Sequence, residues 1–302
     1  MNVRLEAISS GHERARAHVS DYLQLTKPRI TALVVLTTYV GFYLGLQGRI
    51  DPWLVLHTLL GTAIVCGGTS ALNQVWEREA DARMRRTQRR PLPAARLRQD
   101  EALLFGVALA IVGLLQLALF VNMLASLLAA ATLSSYLFVY TPLKRRTWLC
   151  TTVGAVPGAL PPVIGWAAAR GGLDLGAASL FAIVFIWQLP HFYAIAWMYR
   201  DDYERGGFPM LTVIDPDGAV TGRQMIAWTA ALVPASLLPV LLGMAGTLYL
   251  VGALALGAGF LALAVRLAWT CQVAQARRVF LASIVYLPVL LGLLVLDRVP
   301  PL

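Results

Sequence analysis

Nine stretches of about 20 mostly apolar residues recur along the chain, each separated from the next by a short polar or glycine-bearing segment. A helix of about 20 residues, rising 1.5 Å per residue, crosses the roughly 30 Å hydrocarbon layer of a bilayer. The pattern therefore predicts transmembrane helices near 28–47, 53–76, 101–120, 122–140, 148–169, 176–199, 224–243, 246–265 and 279–297. The turns at Asn122 and from Gly243 to Gly246 are very tight. Prolines fall inside several runs, at Pro157, Pro161, Pro162, Pro190, Pro234, Pro239 and Pro288. Each removes a backbone donor and opens its helix locally, which lipid tolerates poorly and a protein interior accepts. The run VGAVPGALPPVIGW, Val153 to Trp166, is thus expected to bend and line an interior, with Gly154, Gly158 and Gly165 permitting close helix approach.

Composition narrows the class. The 302 residues are 58% hydrophobic and 14% charged, with a mean hydropathy of +0.67, whereas soluble domains carry about 25% charged residues. A water-soluble core of this size could not hide so much apolar surface, so the expected fold is an all-α, polytopic integral membrane bundle of nine transmembrane helices. The polar residues 1–26 are expected to form a cytoplasmic tail that does not resemble a cleavable signal, and 27–298 the transmembrane domain. Of the 25 Lys and Arg, only Arg49, Arg170 and Arg298 fall on segments that alternate crossing assigns to the outside. Because cationic loops are retained in the cytoplasm, this predicts an inside N-terminus, an outside C-terminus and an odd number of spans. The net charge of +9 follows from that topology and from contact with the anionic lipid bilayer, so no nucleic acid is needed to explain it. Cys66, Cys150 and Cys271 lie far apart with no CxxC spacing, which argues against a disulfide or metal role. No glycine-rich nucleotide loop follows a strand, so a nucleotide-driven pump has no support.

Three polar clusters carry candidate chemistry. In LNQVWEREADARMRRTQRRPLP, Leu72 to Pro93, the residues Asn73, Glu77 and Asp81 are spaced i, i+4, i+8. If the second helix continues, they project from one face. Hard oxygen ligands so spaced suit Mg2+ held jointly with phosphate oxygens, and Arg83, Arg86 and Arg90 supply anion donors. A topogenic basic loop would explain the arginines but not the acids facing them. The second cluster, YTPLKRRT from Tyr140 to Thr147, places Lys144, Arg145 and Arg146 where they are either topogenic or diphosphate ligands. In the third, WQLPHFYAIAWMYRDDYERGGFPML from Trp187 to Leu211, His191 and Gln188 lie within a span near Pro190, and Asp201 and Asp202 emerge at its end. Polar groups at membrane depth default to function, and the two aspartates form a second acidic element facing the first. His57 belongs to no cluster and is read as structural.

At these residues the chain resembles the UbiA-type intramembrane prenyltransferases, from about Leu23 to Leu296. The most specific match is Asn73, Glu77, Asp81, Met84, Arg86, Thr87, Arg90 and Pro91. Further matches are TKPRI at Thr26 to Ile30, Tyr140 with Lys144, Arg145 and Thr147, the GAVPGALPP run, and LPHF at Leu189 to Phe192 with the following Asp-Asp-Tyr. The resemblance implies a nine-helix bundle around a central cavity, in a bacterial inner membrane. Within the family it points to the haem-modifying branch, which implies transfer of farnesyl from farnesyl diphosphate to a vinyl group of haem B, with Mg2+ assisting, to give haem O. It further implies Asn73, Glu77, Asp81, Asp201 and Asp202 as metal ligands, and Arg83, Arg86, Arg90, Lys144, Arg145 and Tyr140 as diphosphate ligands. Trp187, Gln188 and His191 would face the haem, with His191 orienting the porphyrin, ligating its iron or handling water. Members with aromatic acceptors tend to carry acids where His191 and Met198 stand here, which loosens the second metal site and favours a porphyrin acceptor. A haem O oxidising enzyme or terminal oxidase assembly is a possible partner. Two alternatives remain open at this stage, a sister enzyme with an aromatic or quinone-precursor acceptor and a secondary transporter of an anionic metabolite.

Overall fold

Local chemistry sets several helix starts before any packing. Asp51, just ahead of Pro52, accepts hydrogen bonds from the N–H groups of Trp53 and Leu54 at 2.9 and 3.3 Å. Asn122 accepts from Ala125 at 2.8 Å, and Asp174 from Gly176 and Ala177 at 2.9 and 3.3 Å. Each side chain satisfies donors that the first helical turn leaves without partners. The computed structural model describes residues 19–299, and among them nine long helices follow one another. They are α1 (Pro28–Gly45), α2 (Pro52–Arg83), α3 (Gln99–Phe120), α4 (Met123–Leu143), α5 (Cys150–Arg170), α6 (Leu175–Met198), α7 (Ala219–Leu241), α8 (Thr247–Thr270) and α9 (Val273–Leu296).

Eight of the nine are long and apolar enough to cross a membrane by length and composition. The ninth, α1, has 18 residues and opens on Pro28 and Arg29. Two short helices, Arg200–Arg205 and Leu211–Ile214, fill the connection between α6 and α7. The spans match the hydropathy reading, but several run past it: α2 continues to Arg83 rather than ending near 76, and α9 begins at Val273 rather than near 279. Once a helix is nucleated, polar residues beyond the apolar run extend it at little cost.

Helix α5 sits at the centre, packed on α1, α4 and α6. Its prolines, Pro157, Pro161 and Pro162, are all buried within an unbroken helix, so the carbonyls they free face protein rather than lipid. Contact with α1 is backbone to backbone: a Cβ on Gly165 would lie 1.9 Å from the Thr38 carbonyl oxygen. Trp187, Tyr249, Phe260 and Tyr286 join α6, α8 and α9 into the main core. Leu104, Leu119, Leu241 and Leu296 point outward and are 72–78% exposed, an apolar exterior suited to lipid.

The segment expected as a tail is partly docked. Residues 1–18 lie outside the described residues, but 19–25 are helical. Leu25 is buried against Ala71, Leu92, Leu97 and Ala102, and Asp21 accepts from Arg96 at 2.9 Å.

Candidate active site

The final turns of α2 extend beyond the length a bilayer requires and carry Asn73, Glu77 and Asp81, only 2, 4 and 1% exposed. Buried acids are costly unless cations meet them, and here each rung of the ladder has a basic partner from a different segment. Lys27, ahead of Pro28, adopts φ 49°, an uncommon conformation for a non-glycine residue, and donates from Nζ to Asn73 Oδ1 at 3.2 Å. Lys144, just after α4, donates to both Glu77 oxygens at 3.0 and 3.1 Å. Arg90, in the loop that follows α2, donates to Asp81 Oδ2 at 2.7 Å. That loop folds back because the Thr87 hydroxyl donates to the Asp81 carbonyl at 2.8 Å.

Helix α4 delivers its residues through a π-helical turn, Ser135–Tyr140. Single π turns inside α-helices shift the register and recur at functional sites. This one leads directly to Thr141, whose hydroxyl accepts from the Asn73 amide at 3.3 Å. The adjacent Tyr140 ring lies against Gly154, where a Cβ would come within 2.5 Å of it. Lys144 also sits over the Phe208 ring at 4.5 Å.

The third cluster meets the first in an unforeseen manner. Asp202 accepts from the backbone N–H groups of Arg85 and Arg86 at 3.0 and 3.2 Å and pairs with Arg205. Burial opposes its ionisation, but Arg205 and the two N–H donors outweigh that and hold its carboxyl below the usual aspartate value. The Arg86 guanidinium lies over the rings of Tyr199 and Tyr203, 4.9 and 5.8 Å from their centroids. For Lys144, burial works against the charge, yet Glu77 more than compensates and raises its pKa. Lys27 lacks such full compensation: burial first, then Arg90, lower it to about 8.

Asn73, Glu77, Asp81, Arg90, Tyr140 and Lys144 are therefore brought together, with Arg86 held close by. Arg83, Arg145 and Asp201 are exposed and form no ion pair among the described residues. Deeper in α6, Gln188 is 5% exposed and donates to the Ala155 and Val184 carbonyls at 3.3 and 2.9 Å. The Trp187 indole donates to the Ser283 carbonyl at 2.9 Å. The half-buried His191 ring is stacked between Trp187 and Phe280, with centroids 5.1 and 5.2 Å away. Lys27, within the TKPRI match, and Thr141, within the YTPLKRRT cluster, were given no site role from sequence; a lysine directly before the proline that opens α1, at the charge-rich end, was the available signal for the first.

The donors present suit a divalent ion that shares its shell with a ligand. Among the described residues no three His, Cys, Asp or Glu side chains converge, so a closed protein cage is not built. Yet Asp81 Oδ1 is buried without a hydrogen-bond partner. A spare carboxylate oxygen beside a second acid and an amide oxygen fits Mg2+, which prefers one or two carboxylates plus phosphate oxygens and water.

Fold and site together define a polytopic membrane protein whose buried acids and bases gather at one end of the bundle, an arrangement suited to binding a polyanion with a metal. The chain belongs to the UbiA prenyltransferase family, whose description matches residues 34–287. It is 54% identical over 287 residues to the protoheme IX farnesyltransferase of Solibacter usitatus, covering 92% of this chain and 98% of that one. It is 44% identical over 289 residues to the protoheme IX farnesyltransferase of Koribacter versatilis, covering 92% and 93%. Among solved structures, that of a digeranylgeranylglyceryl phosphate synthase superposes with a TM-score of 0.77 at 18% identity, covering 92% of this chain and 98% of that one. A UbiA homologue from Archaeoglobus fulgidus bound to GPP and Mg2+ gives 0.61 at 16%, covering 91% and 99%. These two likenesses concern the fold, an all-helical multi-pass membrane bundle.

Proposed function

We propose that this chain transfers the farnesyl group of farnesyl diphosphate to a vinyl group of haem B, giving haem O and diphosphate. The observation that carries the reading is the buried ladder, with three cations from three segments against Asn73, Glu77 and Asp81 and one carboxylate oxygen left over. Its support for this acceptor comes from the relatives named protoheme IX farnesyltransferase, 44–54% identical over 92% of the chain.

The reaction breaks the bond between farnesyl C1 and a diphosphate oxygen, and the haem vinyl carbon bonds to C1. Water then adds to the cation left beside the pyrrole ring and loses a proton. Asn73, Glu77 and Asp81 would hold Mg2+, which when bound neutralises charge on the leaving diphosphate; the homologue bound to GPP and Mg2+ supports that choice. Lys27, freed from the Asn73 amide, and Arg90 and Lys144, freed from their carboxylates, donate to diphosphate oxygens, and stabilisation of this developing negative charge is the largest contribution the chain makes. Arg86 and Tyr140 complete the diphosphate pocket, while the exposed Arg83 and Arg145 meet the anion as it enters. Asp202 acts on the diphosphate through the Arg85–Arg86 backbone, and Asp201 adds acidity at the rim for a second ion. Above the ladder the apolar helix interior keeps water from the allylic cation, and Trp187 and His191 face the porphyrin.

The cationic loops at the ladder end support a cytoplasmic position for that end in a bacterial inner membrane, with the C-terminus outside. Membranes carrying the chain, incubated with labelled farnesyl diphosphate and haem B, should yield a labelled lipophilic haem. Label entering only a phenolic acceptor would reassign the acceptor. Solute counterflow without any product would overturn the enzyme.

A further inference from the structure

Ser283 of α9 is fully buried, and all its polar atoms are committed around His191. Its carbonyl accepts the Trp187 indole N–H at 2.9 Å. Its Oγ lies 2.6 Å from the Phe280 carbonyl oxygen and 2.7 Å from His191 Nδ1. A carbonyl oxygen and a hydroxyl oxygen repel at 2.6 Å unless a proton lies between them, so the single hydroxyl hydrogen is spent on Phe280, one turn back along α9. Oγ can then only accept from the histidine. Nδ1 must carry the ring proton, and Nε2 is left with its lone pair and no protein partner among the described residues. Stacking between Trp187 and Phe280 fixes the ring plane, while Pro288 opens the same stretch of α9.

We infer that Ser283 is a positioning residue that locks His191 in its Nδ1–H form, so that Nε2 serves as an electron-pair donor to the haem iron. This rests on haem being the acceptor. The lock narrows one of the roles that sequence left open, orienting the porphyrin: with Nδ1–H given to Ser283, His191 has no N–H free to donate to it. Metal-ligating histidines are typically held through their other ring nitrogen, and loss of such an outer partner costs about 10–100-fold in affinity or activity.

The test uses the purified full-length chain in detergent with haem B, read by absorption spectroscopy and by farnesyl-transfer kinetics. Wild type should give the Soret band of histidine-ligated haem. Ser283→Ala should weaken that band and raise the KM for haem about 10-fold or more, with the KM for farnesyl diphosphate unchanged. Ser283→Thr, which keeps the hydroxyl, should restore both, and His191→Gln should abolish the ligated spectrum. A wild-type spectrum lacking histidine ligation, or a Ser283→Ala variant that lowers thermal stability while leaving both KM values alone, would overturn the lock. Wild type making no haem O at all would instead refute the proposed reaction.

Discussion

Polar residues at the two ends of the bundle are used in opposite ways. At the end away from the ladder, Asp51, Asn122 and Asp174 bind backbone N–H groups at helix starts. Asp297 accepts from the Tyr249 N–H at 2.7 Å, and Arg298 donates to the Leu46 carbonyl at 2.5 Å. The ion pair there, Arg170–Asp174 at 3.1 Å, is a local i,i+4 contact with its carboxylate 42% exposed. These groups satisfy what helix ends leave open. At the ladder end, side chains meet side chains from segments 46 and 67 residues apart in sequence, and Glu77 and Asp81 are only 5 and 1% exposed in their side chains. Such an arrangement is expensive to build and leaves Asp81 Oδ1 unsatisfied. Costly buried charges with capacity to spare mark the site, and inexpensive capping groups mark the scaffold.

Substitutions at the two ends should therefore separate activity from stability. The largest effect is expected for Asp81→Asn, which removes the charge carrying the spare oxygen: turnover should fall by about 10²–10³-fold, while membrane insertion, checked by fractionation, stays normal. Next is Lys144→Met, which strands the buried Glu77 and should cost about 3–5 kcal/mol in unfolding measurements. The double variant Lys144→Met with Glu77→Gln should recover most of that stability without recovering haem O formation. If activity returned as well, the pair would be mere scaffold. Asp202→Asn should be milder, slowing turnover about 10-fold by loosening the Arg85–Arg86 backbone, since charge-assisted hydrogen bonds contribute roughly 1.5–3 kcal/mol; its KM for farnesyl diphosphate should rise more than its KM for haem. The smallest change is expected at the other end, where Asp174→Ala should cost about 1 kcal/mol of stability through the lost cap and leave kcat as it was.

Much of this was legible in the chain. Nine long helices follow from apolar runs, eight of them long and apolar enough to cross a membrane, and the i, i+4, i+8 spacing of Asn73, Glu77 and Asp81 placed them on one face because α2 does continue to Arg83. Spacing along one helix cannot show what lies across from it. The pairing of Lys27 with Asn73 and of Lys144 with Glu77 depends on how α1, α2 and α4 pack, including a π turn with no sequence signature. Asp202 read as a metal ligand because an aspartate at a helix end offers oxygens in either role, and only the fold shows the Arg85 and Arg86 N–H groups occupying them. Gln188 likewise looked available to haem, whereas it is packed over Gly158, where a Cβ would lie 1.9 Å from its Oε1.

The most direct test is the affinity of the purified chain for a non-hydrolysable farnesyl diphosphate analogue, measured with Mg2+ and with chelator. A shared acid–metal–diphosphate site predicts that Mg2+ tightens binding by about 10-fold or more in wild type, and that Asp81→Asn abolishes this gain. Equal affinity with and without the ion, or the same gain in the variant, would contradict it.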